Sequence, residues 1–473
     1  MKKNARRFWT VTAICGGTAL LFLVMVWDGF DPLQKLEFYT QDVRATLGVK
    51  TPVDPRLAFI GIDRTEYKSL FSEEKLKAYP ALQLLQMTYP WSRAVWADLV
   101  QRLAEAGAKV IILDLYFGGT KEGDDALRQV LNTYKDRVVV SANFHDLKSD
   151  RVDSMTLDLP NISVLDNSST NAEGYDTRLG YVNVWPDSDG ILRRAQYRMV
   201  GGKTTDVLPQ GAQLESIDAV ALRQFGASNQ IPSGSDPIRF RYTYWGGAGY
   251  PAISLADAMD PKTWKQNFNN GEFFRGKIVI IGPASDIFQD AQKTPFPEAS
   301  FGGHQYSSIM LGPEIHLNII SAALHGRFLR DTGLYENLLI ILLAGLLAST
   351  LSFLVHQPLR RLAAIAVLAV AYWYGAQWMF NRADLVMPVA SPLLVLTLSG
   401  VFVLAYDYFV EKFERTRTRK MVERYVSKNI AAELLDNPET LFHTLGGVRK
   451  PVTVLFCDIR NFTTMTEHTE ETQ

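Results

Sequence analysis

Aspartates that directly follow apolar runs are the side chains in this sequence best placed to do chemistry. Asp458 ends the run VTVLFCD (452–458), and the segment IRNFT (459–463) is typical of a turn into a helix. A carboxylate beside a helix N-terminus can hold a divalent cation against a phosphate chain, and the terminal N–H groups can bind the phosphates. The spacing therefore predicts a buried strand that carries Asp458 to a cation and phosphate site.

Four more aspartates follow apolar runs in the region between residues 31 and 333. Asp63 follows LAFIGI, Asp114 follows KVIIL, Asp286 ends the loop 282–286 after KIVII, and Asp290 is close by in sequence. In proteins with open parallel sheets, ligands bind beyond the carboxyl ends of the strands. These carboxylates are therefore candidates to line a ligand or ion pocket. Aspartates in loops commonly cap turns by accepting backbone N–H bonds, and this second interpretation stays open for each of the four.

The segments around these aspartates predict an α/β domain. Residues 92–108 have apolar side chains at helical spacing, with Ser92 as a candidate N-cap and Gly107 as a stop, and they lie between two apolar runs. This is the pattern of a βαβ unit. Runs that are apolar on both faces are typical of strands buried between helices in parallel sheets, and they occur at 57–62, 109–113, 137–144 and 277–286.

Several other classes of protein and site are disfavoured by the sequence. A formal net charge of -1 argues against nucleic acid as a partner. The two cysteines, Cys15 and Cys457, lie outside residues 31–333, so no disulfide framework is expected there. The segment DSDG (187–190) begins like a calcium loop, but the twelfth position is Arg198 rather than Glu, so we interpret it as a turn.

Four long apolar segments predict four membrane-spanning helices. Each has close to the number of residues that a bilayer requires, which is about 20. A cleaved signal peptide is the alternative for the first segment, but VMVWDGF at its end offers no small-x-small cleavage site, so we expect an uncleaved anchor. The spans carry almost no ionisable residues, which disfavours a transporter. The predicted spans are 8–29, 336–356, 361–380 and 385–408.

Basic residues predict the orientation of these spans. They cluster before the first span, between the second and third, and after the fourth, and the positive-inside rule places all three clusters in the cytoplasm. Residues 1–7 and the segment after the fourth span are then cytoplasmic, whereas residues 30–333 and the turn 381–384 lie outside. The clusters are Lys2, Lys3, Arg6 and Arg7; Arg360 and Arg361; and Lys412, Arg415, Arg417, Arg419 and Lys420.

The segment 409–438 predicts a cytoplasmic signalling helix that ends at Asn437-Pro438. Its apolar stripe can pair with the same helix of a second copy. The alternative is a basic tether that touches membrane lipid headgroups. The stripe consists of Phe409, Phe413, Met421, Val422, Tyr425, Val426, Ile430 and Leu434.

Six segments between residues 31 and 330 resemble, in their order, the type-2 CHASE domains, which are extracellular sensor domains of bacterial membrane receptors. The resemblance implies that residues 30–333 form a sensor for an unknown extracytoplasmic ligand or protein, with one span before it and three after it. The segments are LEFYTQDVR (36–44), LAFIGID (57–63), YPWSRAVWADLVQRLAEAGAKVIILDLYF (89–117), GYVNVWPDSDGILRR (180–194), FRGKIVIIGPASD (274–286) and GPEIHLNII (312–320).

The last fifty residues show a second resemblance. YVSKNIAAELL (425–435), followed by LGGVRKPVTVLFCDIRNFT (445–463), is similar to the entry to class III adenylate and guanylate cyclases. The resemblance implies that residues 440–473 are the N-terminal fragment of an α+β catalytic domain. In that family the matches to Asp458 and to the backbone carbonyl of Ile459 bind metal. The resemblance also implies phosphate-binding roles that we assign to Asn461, Phe462 and Thr463.

The implied enzyme converts ATP, or less commonly GTP, to a cyclic nucleotide and pyrophosphate with two Mg²⁺ or Mn²⁺ ions at a homodimer interface. The family's second metal aspartate and its base-selecting residues fall beyond Gln473, so this chain of 473 residues is expected to be inactive alone. We therefore predict a receptor cyclase that crosses the bacterial inner membrane four times. The alternative is a non-catalytic membrane sensor or scaffold.

Overall fold

The computed structural model describes residues 2–67, 72–78, 80–85, 89–149, 152–301, 304–425, 451 and 453–467. The chain divides into two compact units, Met1–Gly400 and Val401–Gln473. The helices are α1 (Lys2–Trp27), α2 (Asp31–Leu47), α3 (Arg64–Tyr67), α4 (Glu73–Ala78), α5 (Ala94–Glu105), α6 (Asp124–Thr133), α7 (Ile217–Phe225), α8 (Leu255–Met259), α9 (Pro261–Gln266), α10 (Gly312–Leu324), α11 (Leu334–Leu354), α12 (Pro358–Arg382), α13 (Ala390–Val422) and α14 (Phe462–Glu467). The strands are β1 (Leu57–Ile62), β2 (Val110–Leu113), β3 (Val138–Ser149), β4 (Val152–Asp158), β5 (Leu179–Tyr181), β6 (Arg194–Ala195), β7 (Arg198–Val200), β8 (Gln213–Glu215), β9 (Ile238–Phe240), β10 (Ala252–Ser254), β11 (Ile278–Pro283), β12 (Ala291–Lys293), β13 (Ala299–Phe301), β14 (His304–Tyr306), β15 (Ile309–Leu311), β16 (Phe328–Asp331) and β17 (Leu385–Val386).

A mostly parallel sheet forms the centre of the first unit. Its strands run in the order β10, β1, β11, β2, β3 and β4, with β5 also paired to β3, and within this sheet β4 is antiparallel to its neighbour. Phe59, Ile280 and Ile112 lie opposite one another on the three central strands. The predicted α/β architecture is confirmed, although β11 comes from far along the chain and lies between β1 and β2 of the predicted βαβ unit.

Helices cover both faces of this sheet. Ala58, Ile60 and Ile62 of β1 pack into a core that includes α5 and α8, whereas Leu57 and Phe59 pack into a second core with α7 and α10. This alternation follows from the two-residue period of a strand, and it explains why β1 is apolar along its whole length.

Helix α5 differs slightly from its prediction. It ends before Gly107, whose φ of 87° favours glycine, so the predicted stop is confirmed. The N-cap residue is Arg93 rather than Ser92. The Ser92 hydroxyl accepts the Ala94 N–H over 3.4 Å, which is long for a cap.

In the described part of the chain, four helices are long and apolar enough to cross a membrane, within Ala5–Trp27, Leu334–Leu354, Pro358–Arg382 and Ala390–Val422. Small residues bring them together at two places. A Cβ on Gly345 of α11 would lie 2.6 Å from the Cβ of Ala19 on α1, and a Cβ on Gly400 of α13 would lie 2.4 Å from Ile365 of α12. Glycine therefore permits the close approach of neighbouring apolar helices.

The connection between α12 and α13 corrects the predicted start of the fourth span at residue 385. Leu385 and Val386 form β17, which pairs in parallel with Arg330 and Asp331 of β16. With β9 and β6 they make a four-stranded sheet in the order β17, β16, β9, β6. The helix begins only at Ala390, because residues 385–386 give their backbone hydrogen bonds to this sheet instead.

The second unit contains the end of α13 and residues 453–467. Helix α13 ends at Val422, and residues 423–425 form a turn within the predicted helix 409–438. Phe409, Phe413 and Met421 of the predicted stripe are exposed, so this part of the helix lacks the buried face that stabilises most helices. Val426, Ile430, Leu434 and the predicted end at Asn437-Pro438 lie outside the described residues.

Candidate functional site

The carboxyl edge of the central sheet brings together two of the predicted pocket residues, Asp114 and Asp290. Asp114 follows β2 and is 9% exposed, and its Oδ2 is buried without a hydrogen-bond partner. Burial and the nearby Asp290 carboxylate raise the pKa of Asp114 to about 7. Burial also raises the pKa of Asp290. The two carboxylates therefore disfavour each other's negative charge.

Helix α10 supplies the positive group of this edge. The His316 ring lies 3.0 Å from the Asp218 carboxylate of α7. Burial opposes a charge on His316, but Asp218, Asp114 and Asp290 together raise its pKa to about 9. A Cβ on Gly312 would lie 2.3 Å from the Asp290 carboxylate, so glycine lets Asp290 approach the start of α10. Asp218 and His316 were missed in the sequence, although a His within the apolar helix segment GPEIHLNII was a usable signal.

Of the other two predicted pocket residues, Asp63 belongs to a turn at the start of α3, and the side chain of Asp286 is not described. The Asp63 N–H donates to Glu66 over 2.9 Å, and the Glu66 N–H donates back to Asp63 over 3.2 Å. This reciprocal pair at the start of α3 is the turn-capping role that stood as the second interpretation. Asp286 begins a short 3₁₀ turn at Asp286–Phe288, and its side chain lies outside what the structure describes.

Asp114→Asn is expected to flatten the pH dependence of the stability of the α/β domain. Folded Asp114 keeps its proton to about pH 7, whereas an unfolded aspartate loses it near pH 4, so its stabilising contribution is full at low pH and is lost as pH rises through this range. His316 titrates higher and adds a further loss above pH 7. The charged groups that face Asp114 are Asp290, His316 and Asp218.

Asparagine mimics the protonated acid, so the loss of unfolding free energy between pH 5 and pH 8 should shrink by about 2 kcal/mol. The measurement is chemical denaturation of the full chain in detergent at a series of pH values. Asp236→Asn is the matched control, because the Asp236 side chain is 83% exposed and pairs with Lys203 on the surface. Identical pH profiles for Asp114→Asn and the parent protein would contradict the assignment.

Arg193 is the centre of a second buried ionic cluster. It is 2% exposed, and its guanidinium donates to Asp42 at 2.7 Å, Asp187 at 3.0 Å and Asp189 at 2.7 Å. Burial opposes the charge, but the bonds to Asp189 and Asp42 raise the Arg193 pKa above its ordinary value. Asp42 belongs to α2, which follows the apolar helix α1. Arg193 therefore connects the α/β domain to α2.

The predicted DSDG turn takes part in this cluster. The Gly190 N–H donates to the Asp187 carbonyl over 2.8 Å, which confirms the turn. Its two carboxylates bind Arg193 from within the chain instead of forming a calcium loop.

Three more arginines connect this domain to the α12–α13 turn and to β16. Arg239 donates to Asp331 over 2.9 Å, and Arg194 donates to the same carboxylate over 2.8 Å. Arg241 donates to Asp384 over 2.9 Å and also bonds the Phe380 carbonyl of α12. Together with Arg193 and its partners, these residues form what we call the arginine junction.

Helix α2 also caps the start of α13. The Glu37 carboxylate accepts the backbone N–H groups of Val389, Ala390 and Ser391, the last two over 2.9 and 3.4 Å. Arg44 donates to the Met387 carbonyl over 2.9 Å. A carboxylate at a helix N-terminus satisfies otherwise unpaired N–H groups and complements the helix dipole. The fourth apolar helix is therefore anchored to the segment that follows the first.

The predicted cation and phosphate site around Asp458 has a different local structure. Residues 453–459 form no strand and are exposed, because no strand in the described part of the chain pairs with them. Asp458 Oδ1 accepts the neighbouring Ile459 N–H over 2.9 Å. Asn461 has a φ of 63°, and Phe462 and Thr463 begin the short helix α14, so the predicted turn into a helix is present.

A single exposed carboxylate does not form a metal site. Among the residues that the structure describes, no group of three or more His, Cys, Asp or Glu side chains is arranged to hold a metal ion. The metal roles of Asp458 and Ile459 and the phosphate roles of Asn461, Phe462 and Thr463 therefore stay predictions, and no catalytic step is derived from them.

Comparison with known proteins identifies the family of most of the chain. No curated protein and no solved structure matches it. The CHASE2 domain family matches residues 17–351, which extends beyond the sensor into both flanking apolar helices, α1 and α11. The match covers more than half of the 473 residues, and it includes the sheet edge and most of the arginine junction. The chain belongs to the CHASE2 domain family, whose members carry an extracellular-type sensor domain.

Proposed function

We propose that this protein is a membrane receptor whose external CHASE2 sensor controls an output on the cytoplasmic side. The observation that carries the proposal is the arginine junction, in which buried arginines join the sensor to α2, β16 and the α12–α13 turn through ion pairs. A change in the sensor would reach the apolar helices through these contacts. Ion pairs between packed elements can couple the movement of one element to the next, which is what a signal requires.

The proposed orientation places both termini in the cytoplasm and the sensor in the periplasm or outside the cell. The basic clusters support it through the positive-inside rule. The ion pair between Arg241 and Asp384 also supports it, because it requires the sensor and the α12–α13 turn to lie on the same side of the membrane.

The proposed output is cyclic-nucleotide synthesis from ATP, with GTP as the less favoured substrate, by a class III cyclase domain that begins near residue 440. The resemblance of residues 425–435 and 445–463 supports this output, as does the turn into α14 after Asp458. In the complete domain, Asp458 would bind one of two Mg²⁺ or Mn²⁺ ions, which supply the charge neutralisation for pyrophosphate loss. A homodimer is part of this proposal, and the exposed apolar side chains of α13 support it.

An activity assay separates the cyclase from the non-catalytic alternative. The purified chain with ATP and Mg²⁺ or Mn²⁺ is expected to form no cyclic nucleotide, because residues 440–473 supply only the first part of the proposed catalytic domain. The same chain extended by the gene sequence beyond Gln473 is expected to form it, and Asp458→Ala in the extended protein should reduce the rate by at least a hundredfold. An extended protein that is inactive with both ATP and GTP would favour the sensor or scaffold.

A further inference from the structure

Helix α2 has an exposed apolar face. Successive residues of an α-helix are turned by about 100°, so positions 32, 36, 39, 43 and 47 lie on one side of the helix. This side carries no charged residue, and Leu36, Tyr39 and Leu47 are 41%, 66% and 67% exposed. A continuous exposed apolar surface of this kind indicates a contact with a partner or a membrane. We call this face the α2 stripe, and it consists of Pro32, Leu36, Tyr39, Val43 and Leu47.

The other sides of α2 are engaged within the protein. On one side, Glu37 accepts backbone N–H groups at the start of α13, and Arg44 donates to the Met387 carbonyl over 2.9 Å. On another side, Asp42 pairs with Arg193 of the sensor at 2.7 Å. Helix α2 therefore lies between the sensor and the ends of the apolar helices, and the α2 stripe faces sideways between these two sets of contacts.

Helix α2 runs along the ends of the apolar helices. Helix α1 ends at Trp27, and the chain turns into α2 at Gly29, whose φ is 68°. In the middle of α2, Glu37 caps the start of α13. Just past the other end of α2, the Val49 N–H donates to Asn381, in the last turn of α12, over 3.1 Å. In the proposed topology these three helix ends lie at the outer surface of the membrane, so α2 lies at that level along its whole length.

The size and the position of the α2 stripe favour lipid over a second copy of the chain. The helix has 17 residues, so the stripe measures about 25 Å by 10 Å, or roughly 250 Å². A stable protein interface takes about 800 Å² from each partner. An amphipathic helix on a membrane inserts its apolar face only about 5–10 Å into the boundary between headgroups and acyl chains. The exposed Trp27 beside the stripe and Tyr39 within it are residue types enriched at membrane interfaces.

We propose that the α2 stripe binds the outer surface of the lipid bilayer, with its side chains at the boundary between the headgroups and the acyl chains. The inference rests on the membrane-spanning arrangement of the proposed function and adds a lipid contact to it. Glu37 and Asp42 of the same helix bond to the start of α13 and to the sensor. The membrane surface therefore positions the helix through which the sensor and the fourth apolar helix are connected.

The test is spin labelling of single cysteines in the full chain, reconstituted in phosphatidylcholine vesicles. Cys15 and Cys457 are replaced by serine, and one labelled cysteine at a time is introduced by Leu36→Cys, Tyr39→Cys or Leu47→Cys. Access of the label to oxygen, which concentrates among acyl chains, is compared with its access to a water-soluble nickel chelate. We expect the ratio of oxygen to nickel access to be about threefold or more above that of Asn270→Cys, an exposed position in the sensor, as insertion at the headgroup boundary requires.

Leu342→Cys is the lipid control, because Leu342 is 53% exposed within the apolar helix α11. If position 342 is shielded from nickel but the α2 stripe is as open to nickel as position 270, the stripe faces water. The inference is then wrong, while the membrane-spanning arrangement stands. Low access to both reagents together with spin–spin broadening would mean that a second copy covers the α2 stripe, and this also overturns the inference. Nickel access at position 342 would contradict the membrane-spanning arrangement, and the inference with it.

Discussion

Arg193→Met is expected to lower the free energy of unfolding of the sensor by about 3–5 kcal/mol, the largest effect of any single substitution proposed for this protein. The change leaves Asp42, Asp187 and Asp189 close together without the cation that they share. Breaking a buried ion pair from one side is costly, because the remaining charges stay desolvated and repel one another. The measurement is urea denaturation of the full chain in detergent, followed by tryptophan fluorescence.

The matched control for this prediction is Arg275→Met. The Arg275 side chain is 65% exposed and pairs with Glu272 over 2.7 Å on the surface, so its loss should change stability by less than about 0.5 kcal/mol. Arg193→Lys should give an intermediate loss, because lysine keeps the charge but not the paired hydrogen bonds of the guanidinium. If Arg193→Met were no more destabilising than Arg275→Met, the arginine junction would not be a structural connection.

Glu37→Ala is expected to destabilise the start of α13, although Glu37 lies more than three hundred residues earlier in the chain. Removal of the carboxylate leaves the N–H groups of Ala390 and Ser391 without their acceptor. A lost helix cap costs about 1–2 kcal/mol, and 1.4 kcal/mol corresponds to a tenfold change in an equilibrium. Hydrogen exchange at residues 389–391 should therefore become about tenfold faster, as measured by mass spectrometry of the full chain.

Glu336→Ala provides the control for Glu37→Ala. Glu336 accepts the Gly333 N–H over 2.8 Å at the start of α11, so this variant should speed exchange at Gly333 and leave residues 389–391 unchanged. Faster exchange at residues 389–391 in both variants would mean that the substitutions destabilise the protein as a whole and not the start of α13 in particular. Unchanged exchange in Glu37→Ala would mean that α2 does not hold α13.

The main elements of the fold were predictable because they depend on local pattern. The apolar run of β1 and the helical spacing in α5 are properties of short segments, and both elements formed where their patterns lie. The order of the strands depends on contacts between distant segments. The insertion of β11 between β1 and β2 joins residues more than 150 positions apart, and no local pattern specifies it.

The candidate sites also divide into those that a local sequence pattern predicts and those that depend on contacts between distant segments. Asp114 was predicted because it follows an apolar run and Asp290 because it is close to the loop after another run, and the sheet brings the two together. Asp63 has the same local pattern, but Glu66 three residues later gives it a capping partner. The arginine junction was missed because Arg193 and Asp42 meet across 151 positions, and a charged residue in sequence is ordinarily solvated. A cluster of Asp and Arg inside otherwise apolar segments is the signal that could have indicated it.

The claim that the protein senses on one side of the membrane and reports on the other is tested most directly by labelling single cysteines in intact cells. Cys15 and Cys457 are first replaced by serine, and a cysteine is then introduced either at Asn270 in the sensor or at Arg419 in α13, both of which are exposed. A membrane-impermeant maleimide should label position 270 in intact cells or spheroplasts, and position 419 only after the membrane is opened. Labelling of both positions from the same side would contradict the account.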